Sequence, residues 1–258
     1  MKKMFIFLGD SQPMGYELGT ETGKGSDHIP QKIKDKIYYS DLLNYDCRPD
    51  LAYPNLLSES LSHDYINLSS GGTSHMRHLD DFQKYLKKYE VPKGSTVFLN
   101  ANCKHRGFSV DCFTSEALDF MNNIFMTRRT SLSDTHWRVF LNEEGTNIWD
   151  FCIRTNVYQN IQSVNHIGLL CDSKELNFLY FHVTPDHLNN TIINNNAELE
   201  KVYDEDNLDI LSLRPEQKFQ PNKPFSEIPD NWLEYHLSIK GHEAVAHELR
   251  NEYLNRFA

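Results

Sequence analysis

A chain of 258 residues and 30.1 kDa, with 39% apolar, 24% charged and 12% aromatic residues, has ordinary globular composition. At this length roughly three quarters of the unfolded surface can be buried, so a core needs no disulfide or metal staple. The 26 Lys and Arg stand against 36 Asp and Glu, and the resulting net charge of -10 repels phosphate backbones and anionic lipid heads, which excludes nucleic acid and membrane surfaces as expected partners.

Residues Lys3 to Leu8 read as a short buried strand, because the apolar run Met4-Phe5-Ile6-Phe7-Leu8 before Gly9-Asp10 is too brief for a helix and too uniform for a half-exposed strand. The same run is shorter than the roughly 7 apolar residues of a secretion signal. No other run nears the ~20 of a membrane span, so the expected location is cytoplasmic. Residues 12–50 hold Gly15, Gly19, Gly23, Gly25, Pro30 and Pro49 without sustained periodicity and read as a long inserted loop with room for one short helix. Tyr53 to Leu61 suits a helix and Tyr65 to Leu68 a second strand. From Thr73 to Tyr89, the stripe Met76, Leu79, Phe82, Leu86 and Tyr89 predicts an amphipathic helix, capped by Thr73 or Ser74.

Pro92-Lys93-Gly94 breaks the chain and Thr96 to Leu99 gives a third strand. Ala117 to Met126 has a helical pattern, while His136 to Leu141, His166 to Cys171 and Leu176 to His182 read as further strands. A second insertion, at about 185–229, is rich in Asn, Asp and Pro. The spacing of Ile239, His242, Ala246, Leu249 and Tyr253 predicts a C-terminal helix. Strands alternating with helices, with no internal repeat, predict a single α/β domain over 1–258, with a mostly parallel sheet covered on both faces. Cys47, Cys103, Cys112, Cys152 and Cys171 are odd in number, scattered and free of CxxC spacing, which fits reduced thiols better than a disulfide framework or zinc site.

Ligands on parallel sheets bind beyond the carboxyl ends of the strands. There the sequence places Gly9-Asp10-Ser11, Ser70-Gly71-Gly72-Thr73 and Asn100-Ala101-Asn102, with Glu234-Tyr235-His236 just before the last helix. A hydroxyl, glycine backbones, carboxamides and an imidazole are the parts acyl transfer needs: a nucleophile, a base and donors to an oxyanion.

These blocks resemble the SGNH or GDSL hydrolases, in which Ser, Gly, Asn and His come from four segments in fixed order. The apolar strand into Gly9-Asp10-Ser11 resembles the first, and Ile66 to Gly72 after Tyr53-Pro54-Asn55-Leu56-Leu57 the second. Val97 to Asn102 resembles the third, and His236-Leu237-Ser238 with Gly241-His242 the last. The resemblance spans Met4 to Leu249. It implies a flavodoxin-like three-layer α/β/α fold and a serine ester hydrolase acting on short acyl esters, O-acetyl groups on carbohydrate above all. Ser11 would be the nucleophile and His236 the base, with Ser11 and Gly72 N–H and the Asn102 amide as the oxyanion hole and no cofactor or metal.

The chain departs from the family pattern at three positions. Asn100 replaces a glycine and Cys103 an aspartate in the third block, and Leu233 stands three residues before His236, where the family carries its acid. Glu234 or Asp230 could orient the imidazole instead, or the site is a Ser-His dyad. The same departures motivate an alternative, a catalytically degenerate module that binds or builds within a larger assembly such as a virion. The 23 asparagines and the long polar insertions hint at an AT-rich genome, viral ones included, without bearing on mechanism. Oligomeric state and the choice between hydrolysis and acyl transfer stay open.

Other motifs fail on spacing. The segment Gly19 to Gly25 is one residue short of a phosphate loop and has Gly25 where the metal-binding hydroxyl belongs. His242 and His247 lie five apart, which turns them about 140° from each other on a helix, so they cannot share a metal. His75 and His78 are expected to be solvated polar residues at a helix start.

Overall fold

The computed structural model describes residues 2–40, 43–71, 75–100, 162–181, 183, 215–217, 219, 233 and 236–258. Four strands, β1 (Met4–Leu8), β2 (Asp64–Asn67), β3 (Thr96–Asn100) and β4 (Asn177–Phe181), form one sheet in the order β2-β1-β3-β4 with every pairing parallel. The sequence explains the order. β1 and β3 carry apolar residues at successive positions and are buried on both faces, as central parallel strands must be. β2 alternates, with Asp64 exposed and Tyr65 buried, as suits an edge.

Helices cover both faces. Alternate residues of the strands point to opposite sides of the sheet. Phe5, Phe7, Tyr65, Phe98 and Phe181 pack against Tyr53 and Leu57 of α3 (Tyr53–Ser60) and against Val245, Leu249 and Tyr253 of α6 (Ile239–Phe257). Ile6, Leu8, Val97, Leu99 and Tyr180 pack on the other side against Phe82 and Tyr85 of α4 (His75–Lys88) and Val164, Ile167 and Cys171 of α5 (162–173). The fold is thus the expected α/β sandwich with a parallel central sheet. No helix among the described residues is long and apolar enough to cross a membrane.

The structure corrects three readings. Residues 162–173, read in part as a strand from His166 to Cys171, form a helix. Val164, Ile167 and Cys171 recur at helical spacing and are buried, whereas Leu169 is 49% exposed. A six-residue apolar window cannot separate the two periods. In α4 the buried face is centred on His75, His78, Phe82 and Tyr85, so Met76 and Tyr89 of the expected stripe stand exposed. The segment 12–50 is built of short helical turns: Gln12–Met14, α1 (Leu18–Thr22), Ser26–His28 and α2 (Gln31–Lys34).

That segment is held by specific bonds. Arg48 grips Asp50 through two contacts, Nε to Oδ1 at 2.8 Å and Nη2 to Oδ2 at 2.7 Å, and its Nη1 donates to Thr22 Oγ1 and the Lys24 carbonyl. The expected elements at 117–126 and 136–141 lie outside the described residues. So does most of the second insertion, of which a turn at Pro215–Gln217 and the buried Phe219 are seen.

Candidate active site

The exit of β1 is shaped by its own residues. Asp10 Oδ1 accepts the Gln12 N–H at 3.0 Å, a turn that starts the helical turn Gln12–Met14. A Cβ on Gly9 would lie 2.7 Å from Pro13 Cγ and 3.1 Å from Asn100 Cβ, so the chain folds back over a position only glycine fits. From the end of β2, Asn67 Nδ2 donates to the Pro13 carbonyl at 2.9 Å while its Oδ1 accepts the Ser69 N–H at 3.0 Å. Ser11 therefore sits at the carboxyl edge of the sheet on a braced turn, 8% exposed.

His236 meets it from the other end of the chain. Its Nε2 lies 2.8 Å from Ser11 Oγ. Four contacts place the imidazole. The Leu237 N–H donates to Gln12 Oε1 at 3.0 Å, and the Leu233 N–H to the His236 carbonyl at 2.8 Å. Ser238 caps α6 by accepting the Gly241 N–H, and the Ile239 N–H donates to Glu21 Oε2 of α1 at 3.0 Å. The Tyr16 ring stacks on the imidazole at 5.8 Å between centroids, and a Cβ on Gly71 would stand 2.8 Å from the Tyr16 hydroxyl. The turn after Ser11 and the residues around His236 thus form one interlocked unit.

The second imidazole nitrogen faces an acid that the sequence analysis did not single out. His236 Nδ1 is buried and, among the described residues, has no hydrogen-bond partner in line with it, but Glu17 Oε1 lies 3.0 Å away. The side chains are 18% and 28% exposed. Glu17 has φ of 68°, a left-handed conformation rare for a residue with a Cβ. Leu233 contributes its backbone N–H to the His236 turn.

Neighbouring groups are held neutral. Burial, with a smaller contribution from the charge of His236, lowers His242 to about 3, and its Nδ1 accepts the Tyr53 N–H at 3.2 Å. Burial also raises the Tyr16 hydroxyl to about 12 and the Cys47 thiol to about 11.

Of the residues expected at the site, Ser11 and His236 are brought together. Gly72, Asn102, Glu234 and Asp230 lie outside the described residues. Sequence reasoning missed Gln12, Tyr16 and Glu17, all within six residues of Ser11, and nothing in their spacing marks them. His75 and His78, expected to be solvated, are each 1% exposed with their rings 5.8 Å apart. Among the described residues no group of three or more His, Cys, Asp or Glu could hold a metal ion. Cys47 and Cys171 are buried.

No known family's sequence profile matches the chain, and no curated protein matches it in sequence. Among solved structures it is similar to esterases. An active-site mutant of a family two carbohydrate esterase from Clostridium thermocellum, in complex with celluohexase, has a TM-score of 0.48 and 10% identity, covering 98% of this chain and 64% of that one. The acetyl xylan esterase Est2A from the rumen bacterium Butyrivibrio proteoclasticus gives 0.46 and 14%, with coverage of 98% and 64%. The psychrotrophic esterase EstA from Pseudoalteromonas sp., inhibited by monoethylphosphonate, gives 0.44 and 13%, with coverage of 98% and 99%. The chain thus spans slightly under two thirds of the length of the first two.

Proposed function

We propose that the protein is a serine ester hydrolase. The observation that carries this reading is the 2.8 Å contact between Ser11 Oγ and His236 Nε2 at the carboxyl edge of a parallel sheet. A serine hydroxyl is a weak nucleophile until a base within hydrogen-bond reach takes its proton. Here Ser11 Oγ attacks the ester carbonyl as its proton passes to His236 Nε2. The imidazolium returns that proton to the departing alcohol, and water repeats the sequence on the acyl-enzyme to release the acid.

The resemblance of the four sequence blocks supports the finer assignments. The Ser11 and Gly72 N–H groups and the Asn102 amide would hold the oxyanion, each donor contributing about 3 to 4 kcal/mol to lowering the barrier. The acyl group would be short, acetyl on a carbohydrate hydroxyl being the substrate that the resemblance favours, and the chemistry calls on no cofactor.

The test is acetate release from p-nitrophenyl acetate and from an acetylated xylo-oligosaccharide by wild type and Ser11→Ala. Wild type is expected to release acetate from both, and Ser11→Ala to lose about 10³-fold or more in rate. Equal rates in the two proteins would contradict a serine mechanism. A wild type without turnover on any ester would favour the degenerate binding or structural module instead.

A further inference from the structure

We infer that Glu17, from the loop that carries the nucleophile, is the residue that positions His236, in place of the acid that the related sequence pattern puts three residues before the histidine. The inference rests on the hydrolase reading above and adds a residue to it. For Nε2 to accept the Ser11 proton, the ring hydrogen must sit on Nδ1, and a carboxylate facing Nδ1 both fixes that tautomer and stabilises the imidazolium that forms.

Three observations converge on Glu17. Its Oε1 lies 3.0 Å from Nδ1, a nitrogen that is buried and, among the described residues, lacks an in-line acceptor, which would be costly to leave so. The contact is off the N–H line, as contacts in unliganded sites often are. Glu17 also holds a left-handed backbone at φ 68°. That conformation is unfavourable for a residue with a Cβ and persists where the surrounding structure imposes it, a pattern found at functional sites.

The flanking residues impose it here. Tyr16 stacks on the His236 ring on one side, and on the other Glu21 accepts the Ile239 N–H just beyond the histidine. Meanwhile Leu233 closes its turn with its backbone N–H on the His236 carbonyl.

Glu17→Gly separates a positioning role from a structural one, because glycine removes the carboxylate and also relieves the left-handed strain. With p-nitrophenyl acetate, Glu17→Gln and Glu17→Gly should lower kcat by about 10²- to 10⁴-fold and leave KM within about threefold of wild type. Glu17→Gly should meanwhile hold or raise Tm. In ¹⁵N-histidine spectra the His236 signals should move from the Nδ1–H pattern toward a mixture of tautomers in both variants.

A kcat within about threefold of wild type in Glu17→Gln, or an activity loss that only follows a fall in Tm, would overturn the inference. Turnover that depends on Ser11 but not on Glu17 removes the positioning role alone. Turnover independent of Ser11 removes the hydrolase reading and this inference with it.

Discussion

Asn67 and Asn100 occupy the last positions of β2 and β3, the two strands that flank β1, and both are fully buried. Asn67 spends its carboxamide on the Pro13 carbonyl and the Ser69 N–H. Asn100 has, among the described residues, no hydrogen-bond partner for either side-chain atom, although it stands directly beside Gly9. The same residue type at equivalent depth is a brace on one side of β1 and, among the described residues, an unpaired buried amide on the other. What differs is the chain opposite: the turn after Ser11 folds back toward β2 and presents backbone groups there. A buried amide left unpaired is destabilising where it stands, and native structures keep few such groups.

The bonded contacts are the costliest to remove. Arg48 ties the far end of the same loop, with 9% of its side chain exposed against 14% for Asp50. Arg48→Ala leaves that carboxylate largely buried and unpaired, and should cost about 3 kcal/mol in guanidinium unfolding. Asn67→Ala removes two bonds and strands the Pro13 carbonyl and the Ser69 N–H, for a loss of about 2 to 3 kcal/mol by the same measurement.

His242 Nε2, on the α6 side of the sheet, has no hydrogen-bond partner among the described residues, and burial lowers this histidine from 6.5 to about 3. The unfolded chain therefore takes up a proton that the folded chain refuses between those values. Its contribution to stability is complete above pH 6.5 and is lost as pH falls toward 3. The loss is about 1.4 kcal/mol per pH unit, or about 2 kcal/mol at pH 5. Unfolding of wild type and His242→Gln at pH 7.5 and pH 5 should show that much extra acid sensitivity in wild type. The smallest effect is expected from Asn100→Leu, which keeps the branched shape and removes the unpaired amide. Stability should be unchanged or rise by up to about 1 kcal/mol, and a loss comparable to that of Asn67→Ala would erase the contrast.

Much of this was legible in the sequence because it depends on local pattern. The apolar runs at Met4–Leu8 and Val97–Leu99 specify central strands, and the glycine, acid and serine that follow β1 mark its loop. Ser11 and His236 could be paired through the order of four blocks. Glu17 could not, because its contact with His236 joins segments 219 residues apart by way of a loop whose short helical turns carry no periodic signal. The pattern rule pointed instead to the neighbourhood of Leu233, where the backbone meets the histidine. The helix at 162–173 was misread for a different reason: its apolar positions separate into a buried face only over a longer window than the run from His166 to Cys171.

A serine hydrolase built this way requires Ser11 to be a nucleophile activated by His236. Reaction of the intact protein with a fluorophosphonate, followed by peptide mass spectrometry, tests it without knowledge of the natural ester. A single adduct on Ser11, abolished in Ser11→Ala and strongly slowed in His236→Ala, is the predicted result. No adduct on Ser11 under conditions that label a control serine hydrolase, or equal labelling of wild type and His236→Ala, would contradict it.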